Sequence, residues 1–107
     1  MEKFKFNKNT TKLFEAILAI KNVEEAEKFF RDLCTVQEIR EMSERFEIVL
    51  LLDKGMTYRA IAEKLNTSTT TVGRVANWLN DGMGGYQLIL NRLNHHHNPS
   101  PVRKGVS

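Results

Sequence analysis

Five hydroxyl side chains in a row, Thr67, Ser68, Thr69, Thr70 and Thr71, precede Arg74 and the chain's one tryptophan, Trp78. Threonine is a mediocre helix former, because its branched Cβ loses χ1 freedom against the preceding turn. Yet Val72, Val75, Ala76 and Leu79 follow at helical spacing, so a helix opens with residues that weaken it. Short hydroxyls at a helix start suit one chemistry, which is exchanging hydrogen bonds with a polar surface laid against the first turn. Base edges and phosphates of DNA form such a surface, and a threonine methyl can also meet the methyl of thymine.

The surrounding stretch, MTYRAIAEKLNTSTTTVGRVANWL, supplies the parts of a helix-turn-helix over about residues 57–80. Thr57 can cap a first helix over Tyr58–Leu65, with Ile61 and Leu65 packing inward and Ala62 small where a second helix must cross. Asn66 can adopt the left-handed conformation that ends that helix. Ser68 can cap a second helix over Thr69–Leu79, with Val72 and Val75 returning to the core. In such a motif the second helix enters the major groove N-terminus first. Thr69, Thr70 and Gly73 then fall on its solvent side and are the candidates for base contact. Arg59 and Ser68 are candidates for phosphate anchoring, and Arg74, on the second helix, is a further DNA-binding candidate.

Other chemistry is poorly represented. His95, His96 and His97 are adjacent on a polar tail, without the spaced ligands that fix a metal's geometry, so no metal site and no cofactor is expected. Cys34 is expected to be a buried small residue. No histidine outside the tail stands ready to activate it, and no nucleophile–base pair or phosphate loop points to an enzyme. One cysteine also excludes a disulfide framework and fits a reducing cytoplasm. There is no apolar run near the roughly 18 residues of a membrane span.

Charge is unevenly placed. From residue 54 onward seven basic residues face only Glu63 and Asp81, and the first 12 residues hold four lysines against Glu2. Between them lies an acidic middle, so two basic regions flank it; local positive charge of this kind suits a polyanion such as a DNA operator.

At 107 residues the chain should form one small all-α domain. Residues 1–9 read as a basic arm and 94–107 as a disordered basic tail, leaving residues 10–93 as the domain. A first helix from about Thr10 carries Leu13, Phe14, Ile17, Leu18 and Ile20. Asn22 caps a second, in which Ala26, Phe29, Phe30 and Leu33 should face inward. Thr35 and Glu38 form a capping box for a long third helix that stops at Gly55. The two short helices follow, and YQLILNRL makes a sixth that should bury Leu88, Ile89 and Leu93.

These residues resemble the Trp repressor superfamily, and within it the TrpR-like YerC/YecD family. The resemblance covers about residues 10–93 and is strongest over TVQEIREMSERFEIVLLLDKGMTYRAIAEKLNTSTTTVGRVANWL. It implies a six-helix fold in an intertwined homodimer and a transcriptional regulator, most simply a repressor, with one reading head per subunit. Apolar surface on the first two helices and the last, more than a chain this small could hide alone, agrees with a dimer.

The resemblance also marks a candidate effector pocket. Thr35, Arg45 and Arg74 match the threonine and two arginines that hold tryptophan in that family. Val75 stands where the family has glycine, Trp78 where it has serine, and Asp32 where it has leucine. Val75 removes space and Trp78 fills more, so control by free L-tryptophan is not expected, and the Trp78 indole would occupy part of the pocket. The same side chains have plainer readings: Thr35 as a cap, the arginines as partners of acids, Trp78 as a core anchor. Two further alternatives stand beside the regulator: a repressor using a different small-molecule corepressor, and a helical protein-interaction module.

Overall fold

The computed structural model describes residues 4–97, in which six helices and no strand occur. Residues 1–3 of the arm and 98–107 of the tail lie outside the described residues. The chain divides into two compact units, residues 1–43 and 44–107.

In the N-terminal unit each helix start is set by one polar side chain. Asn7 Oδ1 accepts from the N–H groups of Asn9 and Thr10 at 2.9 and 3.1 Å, and Thr10 Oγ1 accepts in return from the Asn7 N–H at 2.8 Å. This reciprocal cap starts α1 (Lys8–Leu18) two residues before the expected Thr10, and so shortens the arm. Asn22 Oδ1 accepts from the Glu25 N–H at 2.9 Å and opens α2 (Val23–Leu33), with Glu24 and Glu25 at the positive end of the helix dipole. The Thr35–Glu38 box opens α3 (Val36–Asp53) as expected: Thr35 Oγ1 accepts at 3.0 Å and Glu38 Oε1 at 2.8 Å.

Neither α1 nor α2 contains a buried residue. Leu33 is exposed, whereas inward packing was expected, and Ala26, Phe29 and Phe30 are only half-buried. Cys34 is half-buried rather than buried, because it sits at the extended C-cap of α2 and not on a packed face.

The C-terminal unit has a dry centre. Ile48, Val49 and Leu51 of α3, Ile61 and Ala62 of α4 (Tyr58–Leu65), Val72 and Val75 of α5 (Thr69–Asp81) and Leu90 of α6 (Gly85–His97) form one apolar cluster. Helix α4 packs on α5, and α5 on α6. After α3, Gly55 at φ 90° reverses the chain. Gly82 ends α5 where a Cβ would run into the Trp78 carbonyl.

Two expectations for α6 are corrected. Its buried side chain is Leu90, while Leu88, Ile89 and Leu93 are exposed. The face turned to the core is the Tyr86–Leu90 pair four residues apart, with Tyr86 half-buried against the cluster. Leu88 lies across the helix from that pair, and Leu93 lies a turn beyond its end. The helix also continues through residues 94–97, expected as tail, because no helix breaker intervenes before Pro99.

Candidate nucleic-acid interface

Helix α4 starts where Thr57 Oγ1 accepts from the Ala60 N–H at 3.1 Å. It ends at Asn66, which adopts φ 55°, ψ 50°, the left-handed conformation that asparagine tolerates better than most residues. The Thr67 N–H then bonds the Ala62 carbonyl at 2.9 Å and tightens the turn. Only Thr67 and Ser68 follow before α5 begins. Ile61 from one helix and Val72 from the other are fully buried, so the two short helices are clamped at a common centre.

Ser68 is the N-cap of α5. Its Oγ accepts from the Thr71 N–H at 3.0 Å and donates to Thr71 Oγ1 at 3.0 Å. Two of the five hydroxyls are therefore committed to holding the helix start. Thr69 and Thr70 are exposed, and Val72, Val75 and Ala76 are buried behind them. Gly73, three and four residues past that threonine pair, shares their outward side.

Gly73 has a property the sequence does not display. A Cβ built there would lie 3.8 Å from Tyr58 Cε2, an ordinary contact, and its backbone is helical. The fold therefore has no steric need for glycine at this position, although glycine costs a helix interior roughly 1 kcal/mol relative to alanine. The same contact brings the half-exposed ring of Tyr58, in the first turn of α4 beside exposed Arg59, against the outward side of α5. The place of Tyr58 beside Gly73 is barely marked in the sequence. An aromatic residue next to Arg59 and a glycine inside the second helix were its only traces.

The remaining candidates are placed as follows. Arg74 is exposed on α5, Val75 is part of the buried cluster, and Trp78 is half-buried one turn after Arg74. Arg45 is half-buried on α3. Thr35 belongs to the N-terminal unit, where its hydroxyl serves the capping box. Among the described residues no group of histidine, cysteine and carboxylate side chains is arranged to hold a metal ion. No helix there is long and apolar enough to cross a membrane.

Residues 8–94 match the family model of the Trp repressor protein. An uncharacterized protein, YerC of Bacillus subtilis strain 168, is 40% identical over 86 residues, spanning 80% of this chain and 83% of that protein. Two crystal structures share the fold. A TrpR-like protein from Eubacterium eligens ATCC 27750 superposes with a TM-score of 0.77 at 44% identity, covering 81% of this chain and 90% of that one. A proposed Trp repressor from Staphylococcus aureus superposes with a TM-score of 0.78 at 39% identity, covering 83% and 89%.

Proposed function

The chain belongs to the Trp repressor family, with its all-α six-helix fold, and from that premise we propose that it is a sequence-specific DNA-binding transcriptional regulator, acting as a homodimer and reading an operator through the major groove. One observation carries this reading: the exposed hydroxyls of Thr69 and Thr70 stand over buried valines and lead to a glycine the fold does not require. A helix edge weakened in both ways gains nothing internally, whereas base edges need short hydrogen-bonding side chains and close approach.

In this reading Thr69, Thr70 and Gly73 meet base edges. Arg59 takes a phosphate, and Tyr58, resting beside Gly73, adds a hydroxyl to the same backbone contact. Ser68 acts mainly by fixing the first turn of α5 and secondarily as a phosphate ligand, since its hydroxyl already serves the cap. Arg74 adds positive charge farther along α5. Exposed apolar residues on α1, α2 and α6, among them Leu18, Leu33 and Leu88, support a second copy as their cover.

Free L-tryptophan is not the effector we propose. Val75, where the family has glycine, is packed in the core cluster, and Trp78, where the family has serine, stands half-buried one turn after Arg74. The head would then be set without that ligand, or would answer to another small molecule. Calorimetry with L-tryptophan tests this, and micromolar binding would refute it.

The regulator itself is tested by selecting bound fragments from genomic DNA and titrating the recovered duplex with salt. Steep salt dependence with a sequence-specific remainder is expected. Binding that ignores sequence, or no binding, would favour the protein-interaction module.

A further inference from the structure

We propose that the bare backbone of Gly73 and the ring edge of Tyr58 form a notch that seats the 5-methyl group of a thymine in the operator's major groove. This deepens the reading of α5 as the helix that meets base edges, and it rests on that reading.

The notch joins two helices. Tyr58, 47% exposed in the first turn of α4, brings Cε2 to 3.8 Å from where a Cβ on Gly73 would lie. Among the described residues, and apart from the helix's own backbone and the adjoining residues, that ring carbon is the one atom within 4 Å of the position. The space over Gly73 is thus walled on the Tyr58 side and otherwise open. Exposed Thr69 and Thr70, four and three residues back, continue the same face of α5. Carbon groups pack at about 3.5–4.0 Å, so a methyl resting on the Gly73 Cα can touch the Tyr58 ring at the same time. Any side chain at position 73 would place a carbon about 1.5 Å above that floor and push the methyl out.

The chemistry of the notch selects its occupant. The N–H and carbonyl of Gly73 belong to the helix ladder, and Tyr58 presents a ring carbon, so floor and wall offer carbon rather than free donors or acceptors. A water held there would need roughly two to four polar partners. From Thr69 to Ala76 there is no Asn, Gln, Lys, Asp or Glu. Arg74 is the one side chain in that stretch able to bond a base bidentately, and it lies about 100° around the helix from Gly73. Among the groups that the four bases show in the major groove, the thymine methyl is the apolar one.

The test replaces each thymine of the selected operator, one at a time, by deoxyuridine, which removes the methyl and keeps the hydrogen-bonding edge. With the full wild-type chain, one position per half-site should lose affinity by about 3- to 10-fold, as expected for one buried methyl, and the others should change little. Gly73→Ala should bind the thymine operator more weakly and show no penalty for deoxyuridine at that position. Tyr58→Phe keeps the ring edge and should keep the penalty, even as all duplexes bind more weakly by a common factor. Tyr58→Ala should reduce the penalty, and it repeats the comparison should Gly73→Ala bind too weakly to measure.

Operator preference in the wild type without any deoxyuridine-sensitive position would overturn the notch and leave the regulator standing. So would a penalty that persists unchanged in both Gly73→Ala and Tyr58→Ala, which would place the methyl elsewhere. A gain on methylating an operator cytosine at C5, with no loss on deoxyuridine, would overturn the choice of thymine. A wild type that binds no duplex, or all duplexes equally, would remove the notch and the regulator together.

Discussion

Among the described residues every buried apolar side chain lies between Ile48 and Leu90, whereas residues 4–43 contain none. In the first region four side chains, Ile48, Val49, Ile61 and Val72, are sealed from solvent completely. In the second, α1 and α2 have strong apolar faces and not one buried residue, with Leu18 83% and Val23 74% exposed. Similar capping chemistry starts the helices of both regions, so local helix signals do not separate them. The difference lies in who supplies the packing partner. The C-terminal unit has a buried centre of its own, over which the hydroxyls of Thr69 and Thr70 are exposed. The N-terminal unit presents apolar faces that the chain itself leaves uncovered, the faces the proposed dimer would use.

Four substitutions probe that contrast. Ile61→Ala removes a fully buried side chain from the head and should cost about 2–5 kcal/mol in chemical denaturation. A loss below about 1 kcal/mol would mean that the cluster does not support the head. Next, Leu18→Glu should be nearly silent in a solitary chain, since exposed substitutions usually stay within about 0.5 kcal/mol. On the proposed dimer it should instead convert the protein to monomers in sedimentation and lower a concentration-dependent Tm. An unchanged association state would show that α1 has no partner there.

Ser68→Asp separates the cap from its surroundings. Aspartate caps as well as serine, so stability should hold within about 0.5 kcal/mol, while DNA binding should weaken at least about tenfold through phosphate repulsion. Equal DNA affinity would place this turn away from the backbone. The smallest effect is expected of Gly73→Ala, and its sign matters more than its size. Folding should gain roughly 0.5–1 kcal/mol as helix propensity improves, and operator affinity should drop at the same time. Improved stability with unchanged affinity would make Gly73 an accident of sequence.

Legibility from sequence followed the same division. Thr57, Asn66, Ser68 and the Thr35–Glu38 box were readable because a cap depends on neighbours three residues away. The head's core was readable because Ile61, Val72 and Val75 sit at positions that a tight helix-turn-helix dictates. Helix faces outside the helix-turn-helix were misread wherever the cover was not local. Leu33, Leu88 and Leu93 have the apolar character of core residues, and spacing alone does not say whether the same chain buries them. The Tyr58–Gly73 contact was invisible for another reason: it joins two helices through a residue that has no side chain. Helix limits at Lys8 and His97 shifted because Asn7 capped earlier and no breaker stopped α6 later.

Operator discrimination by Thr70→Ala, measured beside Arg59→Ala on the selected duplex and on versions altered one base pair at a time, tests whether the outward hydroxyls read sequence. Thr70→Ala should flatten the preference at one or two base positions by about 1–3 kcal/mol while leaving scrambled DNA almost untouched, and Arg59→Ala should weaken every duplex alike. Loss of affinity by the same factor on all duplexes for Thr70→Ala, with preference intact, would contradict the assignment of that turn as the reading surface.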